Sequence, residues 1–112
     1  NIGLVENLRL KSKKFNRILV ILDSDHTANH VLKELELYSP FVSVGSYCVV
    51  FDSTIEDLPE KQFRDRDWGP GNSPRTAANK FLETHSNFEV DNDLDSKLLI
   101  TAASGGFLKR IA

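Results

Sequence analysis

The chain has 112 residues, 40% of them hydrophobic, with 14 Lys+Arg against 16 Asp+Glu and a formal net charge of −2. That size and mix fit one ordinary globular domain and exclude disordered and fibrous classes. Basic residues interspersed with acidic ones leave no concentrated positive footprint for a phosphate backbone, so nucleic acid is not an expected partner.

An uninterrupted apolar run such as Ile18 to Leu22, which no other run exceeds, falls far short of the ~20 residues a bilayer demands. No basic-then-apolar leader opens the chain. No membrane partner is expected, and the cytoplasm is the expected compartment. Cys48 is the single cysteine, which rules out an intrachain disulfide and a multi-cysteine metal site. Its apolar neighbours predict a buried, inert thiol. The chain opens on Asn1 and holds no Met, so the expectation is a single partial domain over residues 1–112, processed or cut from something longer.

Leu4, Val5 and Leu8 fall near helical spacing, with Lys11, Lys13 and Lys14 trailing, and predict a short helix. Arg17 to Asp23 is a β-branched apolar run ending in an acid, the pattern of a central parallel strand covered on both faces. From Ala28, apolar Val31, Leu32, Leu35 and Tyr38 recur at helical spacing until Pro40 stops them. Gly45 then permits a turn into Tyr47 to Asp52, a second apolar strand ending in an acid. Strand, helix, strand is a βαβ unit, and its right-handed crossover puts both acid-bearing ends on one rim.

The polar stretch 53–73 reads as a long loop, a class that is usually functional or mobile. Ser73 and Pro74 predict an N-cap and first turn, with Ala77, Ala78, Phe81 and Leu82 as one apolar stripe to about Thr84. Phe88 to Val90 and Leu98 to Thr101 are expected as strands. Gly105-Gly106 precedes Phe107 to Ile111, and the tail is expected to be antiparallel β.

In open α/β sheets, ligands bind beyond the carboxyl ends of the strands. Asp23, Asp25, His26 and Asp52 all fall there. Two carboxylates converging from adjacent strands make an oxygen-rich site suited to Mg²⁺ or Mn²⁺ rather than zinc or copper. A plainer role fits equally well, in which Asp25 or Thr27 caps the following helix and Asp23 and Asp52 mark polar strand ends. His26 and His30 are four apart but lack the flanking Glu of the paired-histidine zinc motif. His26 alone, beside carboxylates, is the candidate general base, because a free imidazole titrates near neutrality. Trp68, on a loop stiffened by Gly69, Pro70, Gly71 and Pro74, walls a substrate pocket or seals the core beneath it. The alternating Arg64, Asp65, Arg66 and Asp67 read as solvated surface. A glycine-rich dinucleotide turn, a phosphate loop and a nucleophile elbow are all missing from the sequence.

Ile18 to Thr27, followed by His30-Val31-Leu32, Glu34-Leu35 and Leu37-Tyr38, resembles the cephalosporin hydroxylase family, which includes the rhamnosyl O-methyltransferases. The similarity continues through Gly45-Ser46-Tyr47, Trp68 to Asn72, Pro74, Ala77, Phe81-Leu82, Leu98 to Ala103 and Gly106 to Arg110, nearly the whole chain.

The resemblance implies an α/β fold, the carboxyl-terminal half of a Rossmann-like methyltransferase sheet. Its parts would be two parallel strands joined by a helix, then a helix and an antiparallel strand pair. The missing half would bind S-adenosylmethionine. It also implies a divalent cation on an acid of Asp23-Ser24-Asp25, without deciding which, and on an adjacent Glu-Asp pair ending the next strand. Asp52 is the second of that pair and Phe51 stands in place of the first. A phenyl ring cannot coordinate a hard cation, so Mg²⁺ affinity is expected to fall or to lean on water ligands. Trp68 and Asn72 are then expected to bind the substrate, a hydroxylated small molecule or sugar, and the fragment alone to be inactive. The contrasting expectation is a half-fold that persists as a non-enzymatic association module. In either case the absence of the first strands leaves an apolar edge at Arg17 to Leu22, and a homo-oligomer through that edge is expected.

Overall fold

The computed structural model describes residues 2–112. Helix α1 spans Ile2–Ser12, α2 Ala28–Tyr38, α3 Pro74–Thr84 and α4 Asn92–Leu98. The strands are β1 Val20–Leu22, β2 Tyr47–Val50, β3 Phe88–Val90 and β4 Phe107–Arg110. They form one mixed sheet in the order β1-β2-β4-β3.

β1 and β2 are parallel, with Val20 opposite Cys48 and Leu22 opposite Val50, as a βαβ crossover through α2 requires. β4 runs antiparallel to both β2 and β3. Gly106 makes that insertion possible: a Cβ there would lie 2.3 Å from the carbonyl oxygen of Val50. Only a residue without a side chain lets β4 enter this close to the end of β2.

The core lies between the sheet and the paired helices α2 and α3. Leu22, Cys48, Val50 and Leu108 from the strands meet Val31 and Leu35 from α2 and Ala77, Ala78 and Phe81 from α3. This follows from the two periodicities: alternate strand residues face one side, and residues three or four apart share a helix face. Ser73 caps α3 as expected. Its hydroxyl accepts from the Thr76 N–H, and the Thr76 side chain answers the Ser73 N–H.

Two expectations need correction. Leu98 to Thr101 is not a strand. Asp91 accepts a hydrogen bond from the Leu94 N–H and starts α4, with Asp93 and Asp95 in its first turn and Lys97 in its last. That capping outweighs the β propensity of the apolar residues that follow, and Leu99 and Ile100 stand 87% and 93% exposed. The first strand, expected over Arg17 to Asp23 with both faces covered, is confined to Val20–Leu22. It is an edge strand here, and Leu19 and Ile21 on its open side are each more than half exposed. With α1, which buries none of its residues, this edge borders an apolar groove of about 560 Å³ lined by Leu8, Phe15, Leu19, Ile21 and Tyr38.

Candidate functional site

The parallel pairing delivers the chain beyond Leu22 and Val50 to the same rim. Asp23 and Asp25 are exposed there. The Asp25 Oδ1 accepts the Thr27 N–H at 2.7 Å, a local turn that holds this carboxyl below the usual carboxylate range. Asp52, left-handed at φ 58°, ends the second strand with a carboxylate aimed at His26. The His26 Nε2 lies 2.7 Å from the Asp52 Oδ2, both side chains about one-third exposed. Asp is among the few residues that tolerate this backbone region, and the conformation turns its side chain back toward the neighbouring strand's loop.

The imidazole also faces the indole of Trp68, ring centroids 4.9 Å apart. The Arg66 guanidinium lies 5.2 Å from the centre of that indole, a cation–π contact. His26, Asp52 and Trp68 therefore form one side-chain cluster at the rim. With the Nε2–H donated to Asp52, the imidazole keeps its lone pair on Nδ1. Among the described residues Nδ1 has no hydrogen-bond partner.

Asn72 joins the same region through its amide. Its Oδ1 accepts the Ala28 N–H at 2.9 Å, and its Nδ2 donates to the Asp67 carbonyl at 2.8 Å. The start of α2 is thus satisfied from 44 residues away. Thr27 occupies the N-cap position without a side-chain cap bond, and Asp25 bonds the Thr27 N–H rather than the first helical turn. His30 is apart from this cluster. Its Nε2 meets Glu34 at 3.4 Å and the Ser24 hydroxyl at 3.3 Å on the exposed side of α2.

Sequence reasoning passed over Glu56, which sits in the polar stretch after β2 and accepts from the Gly71 N–H, the Ser73 hydroxyl and the Thr76 hydroxyl. No periodicity marks it. Only the Ser73-x-x-Thr76 cap, which creates donors in need of an acceptor, hints at such a residue.

The donor set does not fit a hard cation. Asp25 is engaged by its own turn and Asp52 by His26, and Phe51 supplies no oxygen. Among the described residues no group of three or more His, Cys, Asp or Glu side chains converges to hold a metal ion. Mg²⁺ wants an oxygen-rich, near-octahedral shell, and the acids at this rim do not converge to offer one.

Over residues 2–111 the sequence matches the family described as Rhamnosyl O-methyltransferase/CmcI. It is 39% identical over 103 residues to the rhamnosyl O-methyltransferase of Mycobacterium tuberculosis (strain H37Rv), covering 91% of this chain and 40% of that protein. To the rhamnosyl O-methyltransferase of Mycobacterium leprae (strain TN) it is 35% identical over 104 residues, covering 91% of this chain and 42% of that protein. The chain thus spans about two-fifths of the length of the curated relatives it matches. No solved structure matches it significantly. With an α/β fold that fits part of a Rossmann-like methyltransferase and a match over residues 2–111, the chain belongs to the rhamnosyl O-methyltransferase/CmcI family.

Proposed function

We propose that this chain is the acceptor-side, carboxyl-terminal part of an S-adenosylmethionine-dependent O-methyltransferase that acts on a hydroxylated small molecule or sugar in the cytoplasm. The observation that carries the reading is the His26–Asp52 pair, 2.7 Å apart, at the shared strand rim beside Trp68. When bound by the complete protein, the cofactor supplies an electrophilic sulfonium methyl. His26 would orient the acceptor hydroxyl and take its proton on Nδ1, so that the oxygen could gain the methyl carbon while the methyl–sulfur bond breaks and the sulfur leaves as a neutral thioether. Asp52 fixes the imidazole and offsets the charge it acquires. Trp68 forms one wall of the acceptor site, and Asn72 holds the loop that carries that wall while presenting its polar edge to the substrate. Asp23, exposed at the end of β1, and Asp25 are left to shape the negative rim. No step runs through Mg²⁺, because among the described residues no three His, Cys, Asp or Glu side chains converge to hold it.

The complete protein, methylating an acceptor in the presence of chelator, tests the reading. His26→Asn is expected to lower kcat by about 10²- to 10⁴-fold, the usual contribution of a positioned acid–base group. Unchanged turnover in that variant overturns the assignment. Isothermal titration of S-adenosylmethionine into the isolated chain is expected to show no specific binding, and micromolar binding contradicts the inactivity of this part alone.

The open edge of β1 and its apolar border favour a second reading, a half-fold that associates with copies of itself. Sedimentation of the isolated chain is expected to show a homodimer or larger assembly, and a clean monomer at high concentration removes this reading.

A further inference from the structure

The carboxylate of Glu56, in the 3-10 helix Ser53–Asp57, accepts from donors on the loop before α3 and on its first turn. Its two oxygens lie 2.9 and 3.1 Å from the Gly71 N–H donor. One of them also accepts from the Ser73 hydroxyl at 2.5 Å and the Thr76 hydroxyl at 3.2 Å. Gly71 has φ +87°, a conformation side chains rarely adopt, and this twist accompanies an N–H directed at Glu56. Gly69 and Asn72 exchange backbone hydrogen bonds of 3.1 and 2.9 Å, so the turn between them moves as one piece. Trp68 enters that turn against His26, and Asn72 leaves it bonded to the start of α2.

We propose that Glu56 is a positioning residue of the candidate site, and that its grip on the Gly69–Asn72 turn holds Trp68 against His26. The functional meaning rests on the reading of His26 given above. The test reads geometry rather than turnover, so its failure is distinguishable from a failure of that reading. The competing role is local: a carboxylate near the start of α3 favours the helix whatever happens at Trp68.

Two variants separate these roles in the isolated chain. In Glu56→Gln the amide oxygen keeps the Gly71 N–H, while the new N–H₂ donates to the Ser73 or Thr76 hydroxyl, each able to accept. Glu56→Met keeps the length and loses every acceptor. In the unmodified chain and Glu56→Gln, nuclear Overhauser cross-peaks between the His26 and Trp68 rings are expected, with slowed exchange of the Gly71 and Ala28 amides. In Glu56→Met the cross-peaks are expected to vanish and both amides to exchange about tenfold faster, the effect of one lost hydrogen bond. Phe81 amide protection should hold.

Cross-peaks that survive in Glu56→Met, with faster exchange confined to the first turn of α3, overturn the proposal in favour of the local role. If Glu56→Met does not fold, the unmodified chain decides: a Gly71 amide exchanging as fast as in a free peptide overturns it, and protection of that amide together with the ring cross-peaks supports it.

Discussion

Cys48 illustrates how far a single position can be read from its neighbours. Placed between Tyr47 and Val49 on an interior strand, it is fully buried, and burial, with a smaller contribution from the Glu34 charge, pushes its thiol up to about 12. The folded protein is expected to leave Ellman's reagent unreacted at pH 8 and to react stoichiometrically in urea; rapid labelling without denaturant contradicts this. Tyr47 and Asp91 make a second prediction. The phenol donates to the Asp91 carboxylate at 2.6 Å, which holds that carboxyl below 3.8 and raises the phenol above 10.0. Asp91 therefore contributes stability that is present above its unfolded value and lost as pH falls through its lower folded value. Tyr47 contributes stability that is full below 10.0 and lost as pH rises through its higher folded value. Tyr47→Phe is expected to flatten both limbs of the urea midpoint against pH, and unchanged limbs count against the pair. His26, Asp52, Asp23, Asp25, Trp68 and Asn72 were visible in the sequence because acids at strand ends and a Trp among Gly and Pro stand out. What the sequence could not show is that Asp52 spends its carboxylate on His26, since that pairing depends on a left-handed backbone at one residue.

At the scale of elements, α2 and α3 were legible almost to the residue, because apolar periodicity, Pro40 and the Ser73-Pro74 start all agree. α4 was not. Its capping acid Asp91 lies seven residues before the apolar cluster that looked like a strand, and local capping decided the outcome. The α3 stripe centres on Phe81, fully buried, stacked on His85 at 3.8 Å and edge-on to Phe88 at 5.5 Å. Phe81→Ala is expected to cost about 3–5 kcal/mol in denaturant unfolding, the usual range for a large aromatic removed from a core. A loss under ~1 kcal/mol would mean that the site collapses freely around the gap.

At the scale of the molecule, the sheet has two open margins, the three-residue strands β1 and β3. β1 carries Ile21, which is more than half exposed. Ile21→Lys places a charge on that open margin, a common way of blocking strand addition. It is expected to abolish self-association in sedimentation while shifting the unfolding midpoint by no more than about 0.5 kcal/mol equivalent, as for exposed sites. Persistence of the assembly in that variant moves the contact elsewhere. The parallel pair and the antiparallel tail followed from alternation and crossover rules, while the open margin followed only from asking which strands were missing.

The strand order β1-β2-β4-β3 has a temporal consequence. β3 leaves the ribosome before β4 yet can join the sheet only through it, so a nascent chain that has made everything up to Gly106 carries β3 with no neighbour to bind. Until Phe107–Arg110 emerges, Phe88 can pack on Phe81 but its strand has no β4 to pair with. A premature stop a few codons upstream of Phe107 would leave β3 unpaired for good, however intact the helices.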